Sequence, residues 1–88
     1  MQVIVCNLTM FAVGQNLQVV DLDTQEIVSS HSVEGENLVA AICDMAYHCG
    51  ISEVRVIGSP LYAEPWAEEI RTSYALRYGY NNINVEVI

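Results

Sequence analysis

Lysine is absent from this chain, and cations of any kind are scarce. Three arginines (Arg55, Arg71 and Arg77) stand against eleven carboxylates, which gives a net charge of −8. A protein that binds duplex nucleic acid or an anionic membrane needs clustered cations, because these displace counterions or pair with lipid headgroups. We therefore expect neither nucleic acid nor a membrane as a direct partner. The acidity is typical of a soluble protein, and it also fits an acidic face that meets a basic groove on another protein.

Cysteine is also scarce, and its count is odd. Cys6 lies in an apolar strand pattern, whereas Cys43 and Cys49 lie in a helix pattern, where a thiol behaves as a small hydrophobe. Three scattered cysteines favour a reducing compartment over a disulfide scaffold. The chain also lacks a basic N-terminal segment with an apolar stretch after it, and no apolar run approaches about 18 residues. We expect a cytoplasmic protein that needs no cofactor.

Apolar residues are abundant by contrast, at 52% of the 88 positions. This length predicts a single domain over residues 1–88, near the small end of the range that folds alone without disulfides or metals. A domain so small cannot bury every large side chain. We therefore expect part of the apolar surface to contact another protein, and a homodimer is one form that this contact can take.

Five strands are predicted from the hydrophobic pattern. The β-branched run Val3–Cys6 predicts a strand that is covered on both faces. Residues 17–22 and 26–33 predict two more strands, the second of them at a sheet edge because of its polar content. Short connections make these three strands an antiparallel meander. Residues 53–57 predict a fourth strand, and the alternation over 83–87 predicts a fifth strand with one solvated face.

Helices are predicted after the third and fourth strands. Asn37 is a plausible N-cap for the first helix, and Gly50 ends it. The second helix is predicted to begin near Pro65, at its first helical position, and to end at Gly79. Right-handed crossovers then make strands 1, 4 and 5 parallel. The sequence therefore predicts an α/β fold with a five-stranded mixed sheet in the order 3-2-1-4-5, in which only strand 2 is antiparallel to the rest.

This order of elements resembles the ribonuclease-H-like fold, which also underlies actin-like ATPase half-domains and Holliday-junction-resolvase-type nucleases. The resemblance covers nearly the whole chain and is topological. The segment Val3-Ile4-Val5-Cys6-Asn7-Leu8-Thr9 is similar to the first strand and turn of the family, and Val54-Arg55-Val56-Ile57-Gly58-Ser59-Pro60 is similar to its fourth strand and the following loop. Members that act as nucleases or ATPases place a metal-binding aspartate at the end of the first strand, where this chain has Asn7. The resemblance therefore implies a fold without its catalytic residues.

Asp21 and Asp23 are the nearest approach to a paired-carboxylate site. If both lay in one strand they would point to the same face and could share a divalent metal. Asp23 also precedes Thr24 and Gln25, however, where an aspartate is typical of a turn, and we favour that interpretation. The histidines and cysteines do not have the spacing that aligns metal ligands on a helix, so we expect no metal site.

Aromatic and arginine residues are concentrated near the second helix, and these types are enriched at binding hot spots. We expect Trp66 and Tyr74 to pack this helix onto the sheet. The predicted partner-binding residues are Tyr62, Tyr78, Tyr80, Arg77, Glu68 and Glu69.

Three functions are compatible with these observations. The first is a non-catalytic, acidic protein-binding module, of a kind that would suit a phage- or mobile-element-encoded accessory protein. The second is an inhibitor that mimics nucleic acid, which requires that the carboxylates of Glu34, Glu36, Glu64, Glu68 and Glu69 lie along one continuous face. The third is a divalent-metal-dependent phosphodiester or nucleotide hydrolase that uses Asp21 and Asp23. The missing carboxylate at the end of the first strand favours the first function and argues against an enzyme.

Overall fold

A computed structural model of the protein describes residues 1–8, 15–79 and 82–88. Five strands and two α-helices alternate along the chain. In chain order they are β1 (Gln2–Asn7), β2 (Gln15–Asp21), β3 (Glu26–Val33), α1 (Leu38–Cys49), β4 (Glu53–Ile57), α2 (Pro60–Tyr78) and β5 (Asn84–Val87), with a short 3-10 turn at Gly35–Asn37 before α1.

The strands form one mixed sheet in the order β3-β2-β1-β4-β5. β1 pairs antiparallel with β2 and parallel with β4, while β2–β3 is antiparallel and β4–β5 is parallel. The predicted order is confirmed, as is the prediction that only the second strand runs against the others. The bounds of β3 and β4 and the edge positions of β3 and β5 are also confirmed.

The core lies between one face of the sheet and both helices. Alternate strand residues such as Ile4 and Val54 share a buried cluster with Ile42 of α1 and Ile70 of α2. Both helices therefore cover the same face, and the molecule is only 20 Å across its shortest dimension, as two layers about 10 Å apart require. On the other face Val3 is buried but Val5 is half-buried, so the prediction that β1 is covered on both faces holds only in part.

Helix α2 begins five residues earlier than predicted. Pro60 occupies its first turn, after Ser59 in an extended conformation, and Pro65 lies inside the helix. The prediction was wrong because Pro60 and Pro65 both suit the first turn of a helix, where proline is favoured. Only Pro60 comes soon after the end of β4. Pro65 has no N–H to donate to the carbonyl of Leu61, which lies four residues before it.

Left-handed residues end both helices. Gly50 and Gly79 have φ angles of +66° and +78°, as predicted for C-terminal glycines. Asn37 occupies the N-cap position of α1, but its side chain makes no capping hydrogen bond. Among the described residues, neither helix combines the length and the apolar character that crossing a bilayer requires.

Candidate functional site

The C-terminal half of α1 and the last turn of α2 meet in a group of four side chains, which we call the helix-end cluster: Asp44, Tyr47, Arg77 and Tyr78. The rings of Tyr47 and Tyr78 stack in parallel, with centroids 4.0 Å apart and 6° between their planes. The Tyr78 hydroxyl donates a 2.9 Å hydrogen bond to Asp44 Oδ1, and Arg77 Nη1 donates to the same oxygen at 3.3 Å. Two of the predicted partner-binding residues therefore join the two helices to each other.

Desolvation and Asp44 both favour the protonated form of the Tyr78 phenol. Desolvation and the hydrogen bond to Asp44 raise the pKa of Tyr78 above its ordinary value, because both disfavour the phenolate. The ring of Tyr74, which is nearly buried, lies 5.0 Å from that of Tyr78 and connects the cluster to the core. This geometry fits a clamp between helices, since the phenol is held as a neutral donor to Asp44.

The remaining predicted partner-binding residues are spread along α2. Tyr62 is 67% exposed at the other end of the helix, about 24 Å from Tyr78 at 1.5 Å per residue. Glu69 is exposed, and Tyr80 lies outside the described residues. The described residues of this set do not make one compact patch, and the contact of the set with a partner stays a prediction.

Glu68 belongs to a link between α2 and β5. Its carboxylate accepts a 3.2 Å hydrogen bond from Arg71 Nη1, while Arg71 Nη2 donates to the carbonyl oxygen of Val85 at 2.6 Å. Arg71 thus ties the helix to the backbone of an outer strand. Glu68 is 72% exposed and lies on the β5 side of the helix.

A shallow cleft of about 190 Å³ opens beside the helix-end cluster. It is lined by Ala46, Tyr47, Gly50, Ile51, Ser52, Tyr74 and Asn82. Sites for organic ligands usually have volumes of about 300–1,000 Å³. Among the described residues the lining carries no charged side chain, so the cleft offers the phosphates of a nucleotide no cationic partner there.

Asp21 and Asp23 do not share a strand face, contrary to the arrangement that a metal pair needs. β2 ends at Asp21, and the Asp23 N–H donates a 2.9 Å hydrogen bond to Asp21 Oδ1 inside the turn. Their carboxylates also lie beside the ammonium group of Met1. Within the described part of the chain no three histidine, cysteine or acidic side chains are grouped as metal ligands. The turn interpretation is therefore supported.

The carboxylates proposed for nucleic-acid mimicry lie toward opposite edges of the sheet. Glu34 and Glu36 follow β3, whereas Glu68 is held toward β5 through Arg71. β3 and β5 are separated by four strand spacings, or about 19 Å. This placement gives the mimicry alternative no geometrical support.

Close packing explains the glycine after β4. Leu8 donates its N–H to the carbonyl of Ile57 at 2.8 Å, which brings the end of β1 against Gly58. A Cβ at Gly58 would lie 3.2 Å from the Cβ of Leu8, closer than such atoms usually approach. The small size of Gly58 therefore serves the packing of two strand ends.

The outer strand β3 is accessible to an unusual extent. It is eight residues long, and six of these are exposed while Ser29 and Val33 are half-buried. Ile27 and Val28 are 58% and 54% exposed, next to an irregularity in the pairing with β2. Exposed side chains thus lie on both faces of this strand, although Val33 packs against the core.

Hydrogen bonding within the sheet shows which backbone groups of β3 point outward. Leu22 donates to the carbonyl of Met1 at 2.9 Å, so the even-numbered residues of β2 bond to β1 and the odd-numbered ones bond to β3. His31 is opposite Leu17, and its backbone therefore points inward. The next residue, Ser32, points outward, and no described residue accepts its N–H.

The sequence interpretation missed two members of the helix-end cluster. Tyr47 is 31 positions before Tyr78, so it fell outside the aromatic group near α2. The i, i+3 spacing of Asp44 and Tyr47 was the available signal, because it places a carboxylate and a ring side by side on one helix face.

No protein-family model, curated protein or solved structure matches this chain.

Proposed function

We propose that this protein is a small, acidic, non-catalytic module that binds an extended segment of a second polypeptide chain along β3, either a different protein or another copy of itself. The observation that carries the proposal is the accessibility of β3: an eight-residue outer strand with six exposed residues and the outward N–H of Ser32. An extended partner segment would add to the sheet as a sixth strand. Its affinity would come from backbone hydrogen bonds, and its specificity from side-chain contacts on alternate positions.

The side chains of β3 suit such a partner. Ile27 and Val28 offer exposed apolar surface, and the strand contains one carboxylate, that of Glu26. A bound strand would therefore meet little of the negative charge that covers the rest of the protein. Outer strands that are not meant to pair are commonly shortened, bulged, or protected by lysine or proline. β3 contains neither residue, and its one irregularity lies before Ser29, outside the regularly paired positions 29–33.

The ribonuclease-H-like assignment belongs to the same proposal. It is supported by the strand order, by the antiparallel β2 and by the helices that follow β3 and β4. Asn7 ends β1, at the position where the resemblance would require a carboxylate for metal-dependent catalysis. On this view the fold serves as a scaffold for β3.

The test is affinity capture from a nuclease-treated lysate of source cells with three baits: the native sequence, Ser32→Ala and Ser32→Pro. Ser32→Ala keeps the outward N–H, whereas Ser32→Pro removes it. Proline is tolerated on an outer strand where the N–H faces solvent. We expect a partner that survives high salt and is recovered with the native and alanine baits but not with the proline bait.

A partner that Ser32→Pro retains in full would contradict the role of β3. If high salt also released that partner from all three baits, the contact would be electrostatic, as the acidic alternative requires.

A further inference from the structure

We infer that the strand that adds to β3 is β3 of a second copy, paired antiparallel about a two-fold axis. This inference rests on the proposed function, since it names the occupant of the same edge. The two sheets would join into one sheet of ten strands, with the helices of both copies on the same face. Sheets usually have up to about ten strands, so the sheet of the dimer would still lie within the common range.

Charge favours β3 over most of the surface as a contact between copies. Each copy carries a net charge of −8, so most ways of bringing two copies together oppose carboxylates. The segment from Ile27 to Val33 contains no carboxylate, and its one titratable side chain is His31. Two copies can therefore approach along this segment with little direct repulsion.

The ends of β3 predict how salt acts on the dimer. Antiparallel pairing brings the start of one β3 toward the end of the other. Glu26 of each copy then approaches Glu34 of the other. Salt screens this repulsion, so the dimer should become more stable as ionic strength rises. A complex between this acidic chain and a basic protein would respond in the opposite direction.

Identical antiparallel strands are also complementary in their hydrogen bonds. A two-fold axis presents each outward donor of one copy to an outward acceptor of the other, so one favourable contact is made twice. Ser32 contributes one such N–H in each copy. The same five positions, 29–33, pair regularly with β2, so this part of β3 already has an extended, hydrogen-bonding conformation.

The single copy is compact without a partner. Its accessible surface is 5203 Å². A folded monomer of 9.8 kDa is expected to expose about 5,200 Å². Because the area is that of an ordinary monomer, we expect a variant that blocks the dimer to remain a folded monomer.

Sedimentation equilibrium at protein concentrations up to about 1 mM, at low and high salt, tests the inference. We expect the mass to rise with concentration from 9.8 kDa toward twice that value, and more readily at high salt. Ser32→Ala should behave as the native protein does. Ser32→Pro should weaken association at least about tenfold, because one backbone hydrogen bond is lost in each copy. Circular dichroism must show that both variants are folded.

Cysteine cross-linking gives a second measurement that does not depend on proline. The exposed Cys49 is first replaced by serine, and residues 29, 30, 31 and 32 are then changed to cysteine one at a time. A disulfide needs Cα atoms within about 7 Å of each other. Two-fold antiparallel pairing predicts that an introduced cysteine forms a disulfide efficiently with the same cysteine of the second copy only if it lies at the two-fold axis. Equal linking at all four positions, or none above a Thr72→Cys control on α2, would contradict the pairing.

The outcomes separate this inference from the proposed function. A protein that stays monomeric at about 1 mM, but loses a captured partner in Ser32→Pro, would overturn the second-copy inference and leave the strand-addition proposal in place. A dimer that Ser32→Pro does not weaken would overturn the inference, because its interface would lie elsewhere. If the protein stays monomeric and the Ser32→Pro bait captures the same partners as the native bait, both the second-copy inference and the proposed function are overturned.

Discussion

The Tyr78 hydroxyl donates a 2.9 Å hydrogen bond to Asp44 Oδ1, across 34 positions of sequence. This bond fixes the last turn of α2 against the middle of α1. The parallel stack of Tyr78 on Tyr47 holds the same two helices through an apolar contact. Tyr78 thus combines a polar and an apolar link, and the hydrogen bond can be removed while the ring stack is kept.

Replacing Tyr78 should therefore destabilise the protein in two steps. Tyr78→Phe removes the hydrogen bond and keeps the stack, whereas Tyr78→Ala removes both. We expect Tm to fall by about 4 °C for phenylalanine and by about 10 °C for alanine, because a small domain loses several degrees for each contact of this kind. Thermal unfolding followed by circular dichroism measures both changes.

Tyr62→Ala is the matched control for this series. It removes the same type of side chain from the same helix at a site that is 67% exposed. Its Tm should stay within about 2 °C of the native value. If Tyr62→Ala and Tyr78→Ala lowered Tm equally, the helix-end cluster would have no special part in stability.

Arg71 should stabilise the contact between α2 and β5. Arg71→Ala removes the 2.6 Å hydrogen bond to the Val85 carbonyl and should cost about 1–2 kcal/mol in the free energy of unfolding, measured in urea. The amide protons of β5 should also exchange faster with solvent. Glu68→Gln keeps Arg71 in place and, at an exposed position, should change stability by less than about 0.5 kcal/mol. A larger cost for Glu68→Gln than for Arg71→Ala would show that the ion pair, and not the backbone contact, stabilises this edge.

Local sequence signals were sufficient for most of the fold. The β-branched run at Val54 and the αL glycines Gly50 and Gly79 act within a few residues of themselves, and their elements end where predicted. The start of α2 was missed because Pro60 and Pro65 carry the same local preference. The choice between them depends on where β4 ends and the chain meets the core, which is tertiary information.

The candidate sites were less predictable for the same reason. Asp44 and Tyr47 gain their roles only when α1 packs beside α2, and sequence separation hides that contact. Cys49 was grouped with the buried thiols by its helical spacing, but it occupies the last residue of α1 and is exposed. The accessibility of β3 likewise depends on which strands the helices cover. A hydrophobic pattern shows which face of a helix or strand is buried. Which other elements pack beside it depends on the arrangement of the whole sheet.

Gly50 should be needed for its backbone conformation alone. Its φ angle is +66°, and a Cβ at this position would meet no atom within 4 Å. Gly50→Ala should therefore cost about 1 kcal/mol through backbone strain, and Gly50→Asn should cost less because asparagine adopts the left-handed region more readily. Urea unfolding compares the two variants. An alanine variant as stable as the native protein would mean that the end of α1 can adopt another conformation.

Thiol reactivity should distinguish the three cysteines in the folded protein. Cys49 is exposed, whereas Cys6 and Cys43 are buried. A thiol reagent should modify one cysteine quickly in buffer and all three in denaturant, and Cys49→Ala should abolish the fast reaction. Fast modification of two thiols in the native protein would contradict the packing of α1 or β1.

Stability should fall as the pH rises above 9, because of the Cys6 thiol. Desolvation raises the pKa of Cys6 from 9.0 to about 11, so the folded state holds this proton more tightly than the unfolded state does. The resulting stabilisation is complete below pH 9 and is lost as the pH approaches 11, with a loss of up to about 3 kcal/mol. Burial raises the pKa of Cys43 as well and adds to the trend.

Urea unfolding across this range should show that the free energy of unfolding falls with pH along a shallower slope for Cys6→Ala than for the native protein, whatever the cost of the small cavity. Cys49→Ala is the matched control and should keep the native slope. If the slope of Cys6→Ala equalled the native one, the Cys6 thiol would not be the group that links stability to pH.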